Sequence, residues 1–474
     1  MTEERLSEGT GSPDRPGGAG PNAKTTRATR LPKAFRPFAV PQYRVLTAAL
    51  TLSLFGGGVW LVSIVWQVIE LGGSPVELSV VATTNAVGML AAVLLGGVAA
   101  DRIPQKRILL TVEATKTVAV ATAATLSLAG LVELWHLAVV ALVLGLADGF
   151  FYPAYSALLP SVLPADQLLA ANGVEGTLRP VVMQAAGPAA ASGVIAALSP
   201  GFAFALVAVS QLLAVLGLLF LRSTPVRRDL SGGTGGAGGA GGSALAAVWG
   251  DLRGGFSYMV RTPWLFATLI YACLMILVLM GPIEVLLPFA VEYQTGGGAG
   301  AFALALGAFG IGGATGSLAV ASWRLPRRYL TVMNLLWGAG CLPLVVIGFT
   351  DQLWLMVVAL FLVGFAFSAA TVIWGTLLQR RVPPELLGRV SSLDFFVSLT
   401  LMPVSMALAG PVGEAIGIAS AFVIAAVVPV FLAVITIVAA RLPRDEIENP
   451  LDPPEDDIDP SSQEVLGPMP PVQG

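Results

Sequence analysis

The chain has 474 residues, of which 55% are hydrophobic and only 12% are charged, whereas soluble domains contain about 25% charged residues. This composition excludes an ordinary soluble domain and predicts an integral membrane protein. The net charge of −3 decides little, because the positions of Lys and Arg along the chain, and not their sum, orient a membrane protein. Cys273 and Cys341 both fall inside apolar runs, which argues against a disulfide framework.

Both ends of the chain have the composition of disordered tails. Residues 1–40 are rich in Gly, Pro, Ser, Thr and basic residues and contain no apolar core of a signal peptide. Residues 443–474 are acidic and rich in proline, and such a segment cannot bury enough apolar surface to order itself. We expect a cytoplasmic tail at each end.

Between the tails, twelve segments have the roughly 20 apolar residues that a membrane-spanning helix needs. Six belong to an N-terminal bundle over residues 41–222 and six to a C-terminal bundle over 263–442. The linker, 223–262, contains the Gly-rich tether "LSGGTGGAGGAGGS" and then an apolar stripe at helical spacing, which is typical of an amphipathic helix. The predicted spans are 45–71, 77–100, 108–131, 135–160, 168–198, 201–222, 264–290, 300–322, 329–349, 353–378, 387–416 and 419–441.

The basic residues lie on one side of this topology. Apart from Lys116 and Arg179, every Lys and Arg falls in a tail, in the linker, or next to a loop on the same side. The alternate loops carry acids and aromatics instead, so the positive-inside rule places both termini in the cytoplasm. A nucleotide-binding G-x-x-x-x-G-K-[ST] loop and a zinc-binding H-E-x-x-H motif are both missing from the sequence. We therefore expect a protein that is not an enzyme and needs no metal or cofactor.

The two bundles also resemble each other. "GGVAADRIPQKRIL" is echoed by "GSLAVASWRLPRRYL", "LPADQLLAAN" by "VPPELLGRV", and "AAGPAAASG" by "LAGPVGEAIG", in the same order. An internal repeat of six helices is typical of transporters whose substrate site lies between two rocking halves. The last echo aligns two helix-packing motifs, Gly187 with Pro188 and Gly410 with Pro411.

The first of these motifs carries a family resemblance. In "GGVAADRIPQKR", Gly97, Asp101, Arg102, Lys106 and Arg107 occupy the positions of the loop motif of the major facilitator superfamily. The chain therefore resembles that superfamily, which implies an all-α membrane protein of twelve helices in two six-helix repeats. Such a protein is expected to be a monomer in the lipid bilayer, with no nucleic acid as partner.

A narrower resemblance comes from "FFYPAYSALLPSVLPADQLLAANG" and "LLQRRVPPELLGRVSSL". Both are similar to the drug-efflux branch that includes macrolide exporters and the enterobactin exporter. This resemblance implies a secondary transporter of the plasma membrane that exports an amphipathic small molecule in exchange for protons by alternating access. Two alternatives stay open: a proton symporter that imports a sugar or metabolite, and a channel or membrane receptor.

Charged residues within hydrocarbon are costly, so each needs a partner or a task. Glu113 and Lys116 are spaced i,i+3 and Glu175 and Arg179 i,i+4, so each pair can form along one helix face. Asp148 has no basic residue within a turn of its own helix, and we expect it either to be the best proton carrier or to be bonded to a neighbouring hydroxyl or helix end. Glu284, between Pro282 and Pro288, is a second candidate for proton coupling, and Glu113 and Glu175 complete the set.

The superfamily resemblance implies that spans one, four, seven and ten line the central cavity. Large aromatic side chains with few polar groups suit an amphipathic organic substrate, although aromatics at helical spacing also serve as ordinary packing. The candidate cavity residues are Trp60, Gln67, Phe151, Tyr155, Tyr271, Phe365 and Trp374.

The acid of the loop motif needs a separate explanation, because the positive-inside rule accounts for the bases only. We expect Asp101 to face the N-terminal end of span eleven, where Arg389 and the helix dipole offer positive charge in one conformation. The motif is thus predicted to be a gate between the two halves.

Overall fold

The computed structural model describes residues 33–222, 256–322 and 325–451. These residues contain helices and no strand, and they include twelve helices long and apolar enough to cross a membrane. The predicted number of spans is confirmed. The helices are α1 (Pro41–Glu70), α2 (Pro75–Arg102), α3 (Gln105–Leu128), α4 (Leu134–Val162), α5 (Ala165–Leu178, Arg179–Ala186 and Gly187–Ala197), α6 (Pro200–Leu219), α7 (Pro263–Gly281, Pro282–Leu286 and Leu287–Thr295), α8 (Ala299–Ser322), α9 (Tyr329–Ala339 and Leu344–Phe349), α10 (Leu353–Arg381), α11 (Pro384–Thr400 and Met402–Ile416) and α12 (Ile418–Ala439).

The same helix pairs pack in both halves, six helices apart. In the first half α2 packs against α4 and α3 against α6, and in the second half α8 packs against α10 and α9 against α12. Glycine allows the closest of these crossings: a Cβ on Gly145 of α4 would lie 2.0 Å from the Asn85 carbonyl oxygen of α2, and one on Gly312 of α8 would lie 2.1 Å from the Phe361 carbonyl oxygen of α10. Close backbone approach of this kind is how small residues hold membrane helices together. The repeat predicted from the sequence echoes is therefore present in the packing.

We call the membrane face at which α1 begins and α12 ends the terminal face, and the opposite one the far face. The two halves meet at the far face, where α2 packs against the second segment of α11. There the Ser74 hydroxyl donates to Glu414 Oε1 over 2.7 Å, and the Trp66 ring of α1 stacks on Phe302 of α8. From the exposure of side chains that face the other half, such as that of Asp148 at 45%, we infer a gap between the halves toward the terminal face, which we call the central gap.

Proline widens the helical turn in two spans. Arg179–Ala186 of α5 and Pro282–Leu286 of α7 are π-helical and start at or next to a proline. Proline has no amide hydrogen for the normal i→i−4 bond, and a π-bulge of this kind is often found at functional sites. The second of these segments contains Glu284.

The structure differs from the expected tails at their inner ends. Lys33–Ala39 is a 3₁₀-helix, and the Phe38 ring contacts Tyr43 of α1 at 5.3 Å. At the other end, Leu442–Glu448 is a helix, whereas we predicted a tail from residue 443. Its acids are bound individually, because Arg381 Nη1 contacts Asp445 Oδ1 at 2.5 Å and Glu446 accepts the Thr331 amide hydrogen at 2.6 Å.

Much of the linker lies outside the described residues, including the Gly-rich tether and most of the predicted amphipathic stripe. Residues 256–261 are helical, and Met259 from the end of that stripe is buried. This end of the linker therefore packs against the second half, beside the terminal end of α10, where the Tyr258 hydroxyl donates to the Arg381 carbonyl oxygen at 3.5 Å.

Candidate functional site

A lysine bound by two carboxylates lies inside the first half. Lys116 Nζ of α3 is 2.8 Å from Asp148 Oδ1 of α4 and 3.8 Å from Glu113 Oε1 on its own helix. The Ser53 hydroxyl of α1 donates to Glu113 Oε1 over 2.7 Å. Three helices thus contribute to one charged cluster, which we call the acid–lysine cluster and define as Ser53, Glu113, Lys116 and Asp148.

The local fold explains half of this cluster. Residues at i and i+3 share a helix face, so the predicted pairing of Glu113 with Lys116 is confirmed. The contact with Asp148 was not predicted, because its partner comes from a neighbouring helix rather than from its own. The sequence does contain a signal for this contact. Away from the helix ends, α3 and α4 hold two acidic residues, Glu113 and Asp148, and a single basic residue, Lys116.

Burial differs sharply among the three charged groups. The side chains of Glu113 and Lys116 are 1% and 7% exposed, whereas that of Asp148 is 45% exposed. The Glu113 Oε2 atom is buried and has no hydrogen-bond partner among the described residues. Two carboxylates and one ammonium group carry a net charge of −1 when all are ionised, and one proton makes the cluster neutral. Asp148 is therefore the member of the cluster that is accessible from the central gap.

The other predicted carboxyls lie apart from the cluster. Glu175 and Arg179 of α5 form their predicted pair, with a distance of 3.4 Å. Glu284 lies deep in the protein within the π-helical segment of α7, and its side chain is exposed although the residues on either side of it are buried. We interpret this combination as a carboxyl that faces the central gap. It forms no hydrogen bond or ion pair within the described part of the chain.

Most of the predicted cavity residues are packed inside the halves. Phe151 stacks on Tyr155 with ring centroids 6.2 Å apart and lies 5.5 Å from Lys116 Nζ, so it covers the cluster, and Phe365 is half-buried on α10. The side chains of the remaining five pack between neighbouring helices and are buried: Trp60, Gln67, Tyr155, Tyr271 and Trp374. On α4, the aromatic residue next to Phe151, Tyr152, is 45% exposed, and we interpret it as facing the central gap together with Asp148.

The predicted gate motif is only partly described. Lys106 Nζ donates to the Leu219 carbonyl oxygen over 2.9 Å and also to that of Leu221, so it fastens the loop to the end of α6, whose last carbonyls have no helical partner. Arg102 and Arg107 are exposed, and Gly97 is half-buried in α2. The side chains of Asp101 and Arg389 lie outside the described residues.

The two predicted helix-packing motifs occupy tight crossings. A Cβ on Gly187 would lie 2.7 Å from Gly58 Cα, where α5 crosses α1. A Cβ on Gly410 would lie 2.5 Å from the Pro75 carbonyl oxygen, where α11 crosses α2 between the halves. Each glycine is followed by its proline, Pro188 and Pro411.

Two repeated six-helix halves that close at one membrane face, with a charged cluster held in hydrocarbon beside the gap between them, define a membrane transporter of the major facilitator type. A family model agrees with this assignment over residues 32–466. The chain belongs to that family, the transmembrane secretion effectors of the major facilitator superfamily.

Relatives in several organisms are transporters rather than enzymes. The chain is 28% identical over 416 residues to the multidrug efflux pump Tap of Mycolicibacterium fortuitum, covering 85% of this chain and 96% of that protein. It is 27% identical to Tap of Mycobacterium tuberculosis, with coverage of 85% and 93%. It is also 24% identical to the uncharacterized MFS-type transporter YfiS of Bacillus subtilis, with coverage of 84% and 93%.

Solved structures share the fold at low sequence identity. The nucleoside transporter NupG superposes with a TM-score of 0.62 at 13% identity, covering 86% of this chain and 99% of that one. A POT family transporter in complex with 5-aminolevulinic acid superposes with a TM-score of 0.64 at 11% identity, with coverage of 84% and 95%. These similarities establish the arrangement of helices.

Proposed function

We propose that this protein exports drug-like small molecules from the cytoplasm across the plasma membrane in exchange for protons. The export of drugs is supported by the similarity to the Tap multidrug efflux pumps over 85% of the chain. The exchange for protons is supported by the acid–lysine cluster, which is the observation that carries this proposal.

The orientation follows from charge. Basic side chains are found at the terminal face, for example Lys106, Arg328 and Arg381, while the loops of the far face contain neither Lys nor Arg. The positive-inside rule places the terminal face in the cytoplasm. The central gap, which opens toward the terminal face, then receives substrate from the cytoplasm.

The cluster supplies a site for the proton. A net charge of −1 in hydrocarbon is costly, and a proton taken up by Asp148 removes it while Lys116 stays paired with Glu113. Loss of that proton restores the short contact between Lys116 and Asp148, which measures 2.8 Å in this conformation. Protonation therefore removes one of the two ion pairs of Lys116 and changes how α3 is bound to α4.

Alternating access is the mechanism that fits a gap closed at one face. The loop motif would contribute a latch at the terminal face through Asp101 and Arg389. Charge reversal tests this part: Asp101→Arg lowers transport, and the double variant Asp101→Arg/Arg389→Asp restores a fraction of it. If the double variant is as inactive as the single one, the motif acts only to orient the protein in the membrane and is not a latch.

The central test uses purified protein in sealed vesicles with a pH gradient and ethidium as a fluorescent dye. The wild type accumulates dye against its gradient as protons leave. Asp148→Asn is expected to lose this accumulation at least about tenfold while still exchanging labelled for unlabelled dye at equal pH, because exchange needs no net proton movement. Asp351→Asn, at an exposed acid in a far-face loop, is the matched control and should behave like the wild type.

The same vesicles distinguish the alternatives. Accumulation by Asp148→Asn at the wild-type rate would remove this carboxyl from the mechanism. Dye that moves in the same direction as the protons would identify a symporter. Flux that rises with dye concentration without saturating would identify a channel.

A further inference from the structure

An aromatic pair joins the two halves across the central gap. The Tyr152 ring of α4 stacks on the Phe395 ring of α11 with centroids 6.4 Å apart and planes inclined by 16°. The two rings remain 45% and 40% exposed, so they touch each other while their other surfaces face open space. Rings in such a position are accessible to a third flat molecule.

The pair lies at the same depth in both halves. Tyr152 is ten residues from Val162, where α4 ends, and Phe395 is eleven from Pro384, where α11 begins. At 1.5 Å per residue both lie about 15 Å from the terminal face, near the middle of a bilayer core of about 30 Å. Tyr152 also follows Asp148 by four residues, so the aromatic pair covers the approach to the proton site from the terminal face.

A basic side chain lies beside the two rings. The Arg179 guanidinium of α5 lies 5.7 Å from the centre of the Tyr152 ring, within the range of a cation–π contact. Its side chain is 44% exposed, and its contact with Glu175 is a single one at 3.4 Å. Guanidinium has five N–H donors, and the contact with Glu175 is the one hydrogen bond that Arg179 makes among the residues that the structure describes, so it retains donors for a ligand beside the rings.

We propose that Tyr152, Phe395 and Arg179 form a substrate subsite for flat aromatic compounds that carry a hydrogen-bond acceptor such as a carboxylate or ketone. The flat part enters between or beside the two rings, and the acceptor binds the free N–H groups of Arg179. This assignment rests on the proposed function, since it names the chemical class of the exported molecule.

The subsite would also connect the substrate to both halves. A flat molecule stacked on both rings would contact α4 of the first half and α11 of the second, one turn from Asp148. It would replace the contact between the two rings with two ring-to-ligand contacts, so the ligand would join the halves at this depth.

Binding is tested at equilibrium without any pH gradient, with purified protein in lipid nanodiscs and anthracene-9-carboxylate as the fluorescent probe. We expect Tyr152→Leu and Phe395→Leu each to weaken binding about threefold to tenfold, as the loss of one aromatic contact predicts. Phe395→Tyr should retain binding. Phe431→Leu is the matched control, because this ring of α12 is 64% exposed and lies outside the subsite.

Two further probes test the chemistry. Arg179→Gln should weaken binding of the carboxylate probe but leave neutral 9-anthracenemethanol within about twofold. Adamantane-1-carboxylate, which has the charge but no flat ring, should displace the probe poorly.

The proposal is overturned if the two leucine variants bind the probe as the wild type does, if adamantane-1-carboxylate competes equally well, or if the wild type does not bind the probe. None of these results bears on proton exchange, which the vesicle test with Asp148→Asn decides separately.

Discussion

The Ser74 hydroxyl donates to Glu414 Oε1 over 2.7 Å and thereby joins the two halves at the far face. The same hydroxyl caps the start of α2, where the Ser74 amide donates to Glu77 Oε2. One turn before Glu414, Gly410 rests directly on the backbone of Pro75 and Val76. The start of α2 and the end of α11 are therefore in direct backbone and side-chain contact at the far face.

A methyl group at Gly410 should open this contact. In Gly410→Ala the added carbon would lie 2.5 Å from the Pro75 carbonyl oxygen and 2.6 Å from Val76 Cα, so the halves must separate at the far face. Spin labels at Leu71 and Ile416, both exposed, should report a longer distance. Gly193→Ala, whose new carbon meets open space, should leave the distance unchanged, and an equal distance in both variants would contradict the prediction.

Removal of Lys116 alone should destabilise the protein more than removal of the charges of both Lys116 and Glu113. Lys116→Met leaves Glu113 as an uncompensated buried charge, and such a loss typically costs about 3 to 5 kcal/mol. The double variant Lys116→Met/Glu113→Gln removes that charge and should recover most of the thermal stability measured in detergent. A single variant as stable as the wild type would mean that the cluster already holds its proton on Glu113.

Glu284 should affect selectivity rather than stability. Because its carboxyl forms no ion pair with any residue that the structure describes, Glu284→Gln should change the free energy of unfolding by no more than about 0.5 kcal/mol. Replacing this carboxyl with an amide removes a group that can attract a cation, so the KM for ethidium, a cation, should rise about threefold to tenfold. An unchanged KM, with Asp351→Asn as control, would place Glu284 outside the substrate path.

The stability of the helix Leu442–Glu448 should depend on Glu446 but not on Glu448. Glu446 is buried and accepts from both the amide and the hydroxyl of half-buried Thr331, so Glu446→Ala leaves these two donors unpaired at a cost of about 1 to 3 kcal/mol. Glu448 is exposed, and its one ion pair within the described ranges is with exposed Arg444, so Glu448→Ala should cost at most about 1 kcal/mol. Limited proteolysis of the C-terminal end checks both, and equal protection in the two variants would contradict the difference.

The sequence predicted what depends on local pattern. Hydropathy located the twelve spans, and i,i+3 spacing predicted the contact between Glu113 and Lys116. Contacts between helices could not be predicted from the sequence. The rotation of each helix about its axis decides whether Phe151 or Tyr152 faces the gap. Asp148 meets Lys116 only because α3 packs against α4. The helix at Leu442–Glu448 was missed for a related reason: composition gives the average behaviour of an acidic segment, whereas Asp445 and Glu446 are each bound by a particular partner.

The outermost segments that the structure describes can report the distance between the halves. The segment Lys33–Ala39 packs on the first half and Leu442–Glu448 on the second, so each of the two segments should move with one half. Fluorophores attached at Phe38 and Leu451 would therefore measure how far the halves separate at the terminal face during turnover, without a label in any transmembrane helix.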